Sequence, residues 1–176
     1  MLTSDNLRLR ALEPEDLGLL YQWENDATLW QHGSTVSPFS RYVLKQYIAD
    51  SHQSIYELHQ QRLMIDWLPT AQTVGMIDLF DFDPHHRRAA LGILIDPAYQ
   101  RRGIATEAVR LVKEYAFEFL RLHQLYIHVR SDNRASIALF LQNGFRQNGV
   151  LSQWVATPEG YADVYVMQCF REQEAR

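Results

Sequence analysis

A single cysteine, Cys169, is all that 176 residues supply, so no internal disulfide is available and no cysteine pair can build a thiolate metal site. Proline and glycine are sparse too, with six and eight residues and no Pro-, Gly- or Ser-rich linker. No segment repeats or falls into low complexity, and the expectation is one domain over 1–176. Basic residues are not in excess: 17 Lys and Arg against 21 Asp and Glu give a formal charge of -4. A field of that sign speaks against a nucleic-acid partner. No apolar run is long enough to span a bilayer, and the first residues carry no signal-peptide pattern, so the expected setting is cytoplasmic with no membrane partner. What is present is a composition 47% hydrophobic and 12% aromatic, enough to bury a substantial core.

The most informative residues are Gln100-Arg101-Arg102-Gly103-Ile104-Ala105. An apolar run over 91–95 precedes them and an amphipathic stretch follows, with Ala108, Leu111, Val112, Tyr115, Ala116 and Phe119 at the spacing of one buried helix face. A strand-to-helix turn of this kind aims unpaired amides and the positive end of the helix dipole at one point. Gly103 keeps a Cβ out of the way, and Arg101 and Arg102 add positive charge, so the turn is suited to an anion such as a pyrophosphate. The P-loop ending Gly-Lys-Ser/Thr and the three-glycine dinucleotide fingerprint are both absent.

The remaining pattern predicts alternating α and β elements. Residues 7–12 alternate as a strand, Pro14 with Glu15 and Asp16 opens a helix that runs to about 25, and a second helix covers 41–50, with an irregular loop between them. Strands follow over 62–67, 73–80 and 89–95, the last entered through a turn at Asp83-Pro84-His85-His86. Beyond the helix after Gly103, a strand covers 124–130 and Ser131-Asp132-Asn133 caps a further helix that stops at Asn143-Gly144. A strand opens at Phe145, another covers 149–155, and a last one runs over 161–170 after a turn at 157–160, with 172–176 a frayed tail.

In this order the two motifs resemble those of the GNAT superfamily of N-acetyltransferases. Gln100-Arg101-Arg102-Gly103-Ile104-Ala105 matches its Gln/Arg-x-x-Gly-x-Gly/Ala signature, and Asn133, Ser136, Phe140, Gly144 and Phe145 match its second signature. The fold class implied is α/β (α+β layered): a mixed, mostly antiparallel sheet of about seven strands with helices on both faces and a splayed parallel strand pair. The resemblance also implies acetyl-CoA as co-substrate and no metal. Backbone of Ile93, Leu94 and Ile95 would take the pantetheine arm, the amides of Arg101, Arg102, Gly103, Ile104 and Ala105 the pyrophosphate, Asn133 would meet the pantetheine and Phe140 would pack near the thioester, with Gln100, Thr106 and Ser136 in the same cofactor site. Leu7-Arg8-Leu9-Arg10, Trp23-x-Asn25-Asp26, His86-Arg87-Arg88-Ala89 and Asp96-Pro97-x-Tyr99-Gln100 are similar to the branch holding the spermidine/spermine acetyltransferases, which borders enzymes acetylating protein N-termini. A small-molecule amine acceptor, a polyamine or diamine, and a homo-oligomer are what that branch implies. A protein N-terminus, or an acyl-CoA sensor without turnover, is the alternative.

Two positions depart from the branch: Phe140 stands where relatives carry a tyrosine, and Ala90 where they carry a glutamate. Neither residue can move a proton, so the catalytic groups stay unassigned, with Asp78, Asp81 and Glu24 as candidates. Glu24, Asp26 and Asp78 are candidates for holding a cationic acceptor, each weighed against an ordinary role in a turn or helix end. Tyr126, Tyr161 and Tyr165 could supply a hydroxyl but fit strand packing as well. Trp23 or Trp30 could line an amine pocket or simply pack, and His85-His86 has the spacing of a solvated turn, not of two converging metal ligands.

Overall fold

Alternating apolar residues put seven strands into one sheet, and the same alternation gives that sheet two faces to cover. The computed structural model describes residues 2–30 and 37–171. The 172–176 tail and the 31–36 part of the expected loop lie outside the described residues, as does the side chain of Trp30.

The elements run β1 (Leu7–Arg10), α1 (Leu17–Glu24), α2 (Ala27–Trp30), α3 (Arg41–Asp50), α4 (Ile55–Leu58), β2 (Gln61–Trp67), β3 (Gln72–Asp83), β4 (Arg88–Ile95), α5 (Ile104–Glu114), β5 (Gln124–Arg130), α6 (Arg134–Gln142), β6 (Arg146–Thr157) and β7 (Gly160–Phe170). The sheet order is β1-β2-β3-β4-β5-β7-β6. All neighbouring pairs are antiparallel except β4 and β5. This is the expected architecture, with its single parallel pair at the centre.

Local chemistry sets the helix starts. Pro14 to Asp16 form a 3₁₀ turn in which the Asp16 carboxylate accepts the Glu13 amide at 2.9 Å, so α1 proper begins three residues later than the sequence suggests. Ser40 Oγ accepts the Val43 amide at 3.1 Å and starts α3 where expected. Two short helices add to the expected set, α2 in the segment expected as a loop and α4 between α3 and β2 where no element is expected, because four residues are too few to show a helical period.

Strand alternation divides the core. Leu63, Ile65, Ile77, Leu79, Leu91, Leu125, Ile127 and Val129 pack under α5 with Ala108, Leu111 and Val112. On the other face Met64 and Met76 pack with Leu20 and Trp23 of α1 and Leu44 and Ile48 of α3. Fully burying one such Leu or Ile contributes about 1.5–3 kcal/mol before entropy is counted. Trp23 is therefore core, its indole N–H donating to Asp96 at 3.1 Å, and does not line an amine pocket.

Two expectations need correction. The buried face of α5 does not extend to Phe119: residues Tyr115–Phe119 form a π-turn, closed by the Leu120 amide on the Tyr115 carbonyl at 3.0 Å, and Phe119 is 62% exposed, stacked on Tyr115. The wider turn carries it off the apolar stripe. The two strands expected from Phe145 and over 149–155 are one strand, β6, with register shifts between Gln147 and Gly149 and between Leu151 and Val155.

Candidate active site

The centre of the sheet is parted. β4 and β5 pair only through Arg88 with Gln124, Ala89 with Leu125 and Ala90 with Tyr126. Beyond that fork β4 continues to Ile95 against β3, and β5 continues to Arg130 against β7, with no ladder between the two. The backbone from Leu91 to Ile95 thus keeps polar groups on its β5 side without a strand partner. Gly75 of β3 holds this strand close: a Cβ there would lie 2.3 Å from the Leu94 carbonyl oxygen.

At the far end of β4 the chain turns through Pro97–Tyr99 and enters α5 at Gly103, whose φ of +77° favours glycine and whose missing Cβ would face open space. No side chain caps this helix, and Glu107 is the first residue whose amide closes on Gly103, at 3.1 Å. The amides of Ile104, Ala105 and Thr106 have no place in the helical ladder and share the positive dipole end. Arg101 adopts φ +61°. Arg102 turns away from the cradle: its guanidinium lies over Trp67 at 5.0 Å and Tyr99 at 5.3 Å and donates to the Ala98 carbonyl at 3.2 Å. Gln100 Nε2 donates to the Ile95 carbonyl at 3.2 Å, tying the turn to the end of β4.

The fork opens into a cavity of about 460 Å³, lined by Asp78, Phe80, Asp81, Ala90, residues 91–94, Tyr126, His128, Asn133, Ser136, Phe140 and Trp154. Asn133 Oδ1 accepts the Ser136 amide at 3.1 Å as the N-cap of α6, which places both at the cavity wall. Phe140 follows on the same helix, buried and edge-on to Phe145 at 5.1 Å.

The acidic candidates separate into three situations. Asp78 is clamped by Arg62, whose Nε and Nη2 donate to its two carboxylate oxygens at 2.8 Å each, and Arg62 Nη1 donates to Glu24 as well. Burial alone would lower the Arg62 pKa; the charges and hydrogen bond of Asp78, with the charge of Glu24, overcome that and raise it. Tyr47 beneath this guanidinium, at 5.3 Å, is raised by burial. Asp26 does not line the cavity: it is half-buried, accepts the Thr28 amide and hydroxyl at 2.9 and 2.7 Å, and is pulled below its usual pKa by those bonds. Asp81 lines the cavity directly, beside Tyr126. Arg62 is the residue that the sequence reading missed. Among the described residues no group of three or more His, Cys, Asp or Glu side chains could hold a metal ion. No helix among them is long and apolar enough to cross a membrane.

A sheet forked at one parallel pair, with a bare helix N-terminus at its mouth, is the architecture of the acyl-CoA-dependent N-acetyltransferases. Residues 6–146 match the GNAT acetyltransferase domain, and the chain belongs to that family. It is 29% identical over 173 residues to the spermidine N(1)-acetyltransferase of Escherichia coli K12, covering 98% of this chain and 90% of that protein. Spermidine N-acetyltransferase from Vibrio cholerae, solved in complex with CoA and spermine, is similar at a TM-score of 0.86 and 25% identity, over 95% of this chain and 96% of that one. A dodecameric structure of spermidine N-acetyltransferase from the same organism, in an intermediate state, is similar at a TM-score of 0.78 and 25% identity, over 95% of each chain.

Proposed function

We propose that this protein transfers the acetyl group of acetyl-CoA to a primary amine, and that the acceptor is a polyamine. The observation that carries the reading is the fork after Ala90 and Tyr126, which leaves the β5 side of residues 91–95 without a strand partner and, apart from the Ile95 carbonyl held by Gln100, open to a ligand. On this reading the backbone of Ile93, Leu94 and Ile95 takes the pantetheine arm. The turn from Gln100 to Thr106, with Gly103 at its centre, takes the pyrophosphate, and Asn133, Ser136 and Phe140 border the thioester end. Bare amides at a helix start suit a pyrophosphate without help from Arg102, which is engaged with aromatic rings.

The acceptor side keeps its negative charge despite the clamp. Two carboxylates, Glu24 and Asp78, surround one guanidinium, so the cluster retains one net negative charge, and Asp81 adds another in the cavity itself. Arg130, at the cavity wall, is paired with Asp132 at 2.7 Å. A cationic acceptor is drawn toward such a surface, and the similarity to enzymes named for spermidine over nearly the whole chain supports the same class here. The amine attacks only when neutral, and an alkylamine titrates near 10, so proton removal accompanies attack. Proximity in the fork and polarisation of the thioester carbonyl supply the remaining rate enhancement. The dodecameric relative supports a homo-oligomer, which sedimentation of this protein would test.

Thiol release from acetyl-CoA in the presence of an amine panel tests the reading. Release with spermidine or spermine is expected. Release only with a peptide N-terminus would move the acceptor to protein, and no release with any amine would leave a binding protein without turnover.

A further inference from the structure

Phe140 puts no proton donor for the departing thiolate at its position on α6, and at the fork the cavity offers the hydroxyl of Tyr126. Tyr126 is the β5 partner of Ala90, the last paired residue before the strands part. By strand alternation its side chain shares a sheet face with those of His128 and Arg130, the face opposite Leu125, and Tyr126, His128 and Arg130 all line the cavity. An arm anchored at the 100–106 turn and lying back along 95–91 ends toward that fork. His128 stands two residues further out on the strand and is exposed, so Tyr126 lies nearer the closed end.

A second feature is built around this hydroxyl. Strand alternation puts Asp78 and Phe80 on the cavity face, and by the same rule Asp81 belongs on the opposite face. It does not go there. β3 bulges between Phe80 and Asp83, Asp81 adopts φ +47°, and Asp81 lines the cavity beside Tyr126 together with Phe80. A left-handed residue in a bulge re-aims one side chain at some conformational cost, and here the side chain delivered is a carboxylate next to a phenol. Burial raises the Tyr126 pKa, the Asp81 charge raises it further, Arg88 opposes and Asp83 adds a smaller push upward. The phenol is therefore fully protonated at neutral pH. The other titratable ring against it is His128, at 5.7 Å.

We propose that the Tyr126 hydroxyl is the acid that protonates the departing CoA thiolate, with Asp81 as its positioning residue. The inference rests on the acetyl-transfer reading above. When the tetrahedral adduct of amine and thioester collapses, the C–S bond breaks, its electron pair stays on sulfur, and the phenol proton moves to that sulfur. Water in the open cavity then returns a proton to the phenolate, and the proton shed by the amine nitrogen leaves to the same solvent.

The test is Tyr126→Phe assayed on the best amine of the panel, with CoA affinity measured by calorimetry. We expect kcat to fall about 100-fold, the lower end of what a positioned acid contributes, with CoA affinity and the KM for amine unchanged. Moving the hydroxyl back to α6, in the double variant Tyr126→Phe with Phe140→Tyr, should recover most of the loss, which a packing role would not allow. A readout independent of turnover is the tyrosinate absorbance of the free protein. The parent minus Tyr126→Phe difference gives the Tyr126 titration, and Asp81→Asn should shift it to lower pH because the charge opposing the phenolate is gone. The alkaline limb of the kcat profile should move the same way. Tyr126→Phe retaining parental kcat overturns the proposal alone, as does a Tyr126 titration unmoved by Asp81→Asn. Absence of thiol release by the parent with every amine overturns the acetyl-transfer reading and this inference with it.

Discussion

The two halves of the cavity are made of different material. The half assigned to the cofactor is backbone: the β5 side of residues 91–95 and the bare amides that follow Gly103. The half assigned to the acceptor is side chains: Asp78, which Arg62 ties to Glu24 outside the cavity lining, and Asp81 beside Tyr126. A backbone site tolerates many sequences and is broken only where a Cβ or a strand partner intrudes. A side-chain site depends on each partner, and one substitution unbalances its charge.

The largest effect should come from filling the backbone half. Gly103→Trp places a bulky group in what is open space, at a φ that L residues rarely adopt, and should abolish measurable acetyl-CoA binding by calorimetry while the circular-dichroism spectrum stays that of a folded protein. Near-normal affinity in a folded variant would show that the turn is not the anion site. The side-chain half should instead fail through stability. Arg62→Leu leaves Asp78 and Glu24 facing each other in a buried setting, and a loss of about 3–5 kcal/mol in urea denaturation is expected. A loss below 1 kcal/mol would mean that water already screens the cluster.

The difference in material also explains what the sequence made legible. Gly103 and the alternation of residues 124–130 announce themselves locally, since a turn glycine and a period of two are read within a few residues. The clamp on Asp78 is not local: Arg62 meets its partners across separations of 16 and 38 residues, and nothing in the neighbourhood of Glu24 or Asp78 marks them as already engaged. Asp26 reads like Glu24 in the sequence, yet it caps a turn outside the cavity. Asp81 reads as an ordinary turn residue, and only the bulge in β3 turns it to the cavity face. The π-turn after α5 stays hidden because its apolar spacing mimics one more turn of ordinary helix.

A smaller effect tests how tightly β3 holds β4. Gly75→Ala puts a methyl 2.3 Å from the Leu94 carbonyl oxygen, a backbone atom, so the strands must shift; a cost of about 1–3 kcal/mol is expected, with weakened CoA affinity as the displaced strand carries Leu94 and Ile95. Unchanged stability would mean that the two strands adjust freely there.

The smallest effect lies away from the cavity, at the β1/β2 edge. Burial would raise the Asp66 pKa, but hydrogen bonds from Arg8, Thr73 and Arg10 outweigh it and hold the carboxyl below its usual range. A depressed folded-state pKa gives stability that is complete above the unfolded value near 4 and is lost as pH falls through the folded one. Asp66→Asn should therefore lower Tm at pH 7, and the gap to the parent should narrow below about pH 4. A gap independent of pH would assign the loss to packing.

The backbone assignment itself is tested most directly by amide hydrogen exchange with and without CoA. Protection should rise in two separated stretches, 91–95 and 101–106, because these amides would gain acceptors only when the ligand enters the fork. Residues of β2 around Arg62 should be unchanged. Protection confined to the Arg62 cluster, or spread evenly over the sheet with no excess in those two stretches, would contradict a cofactor held by the parted strands and the helix start.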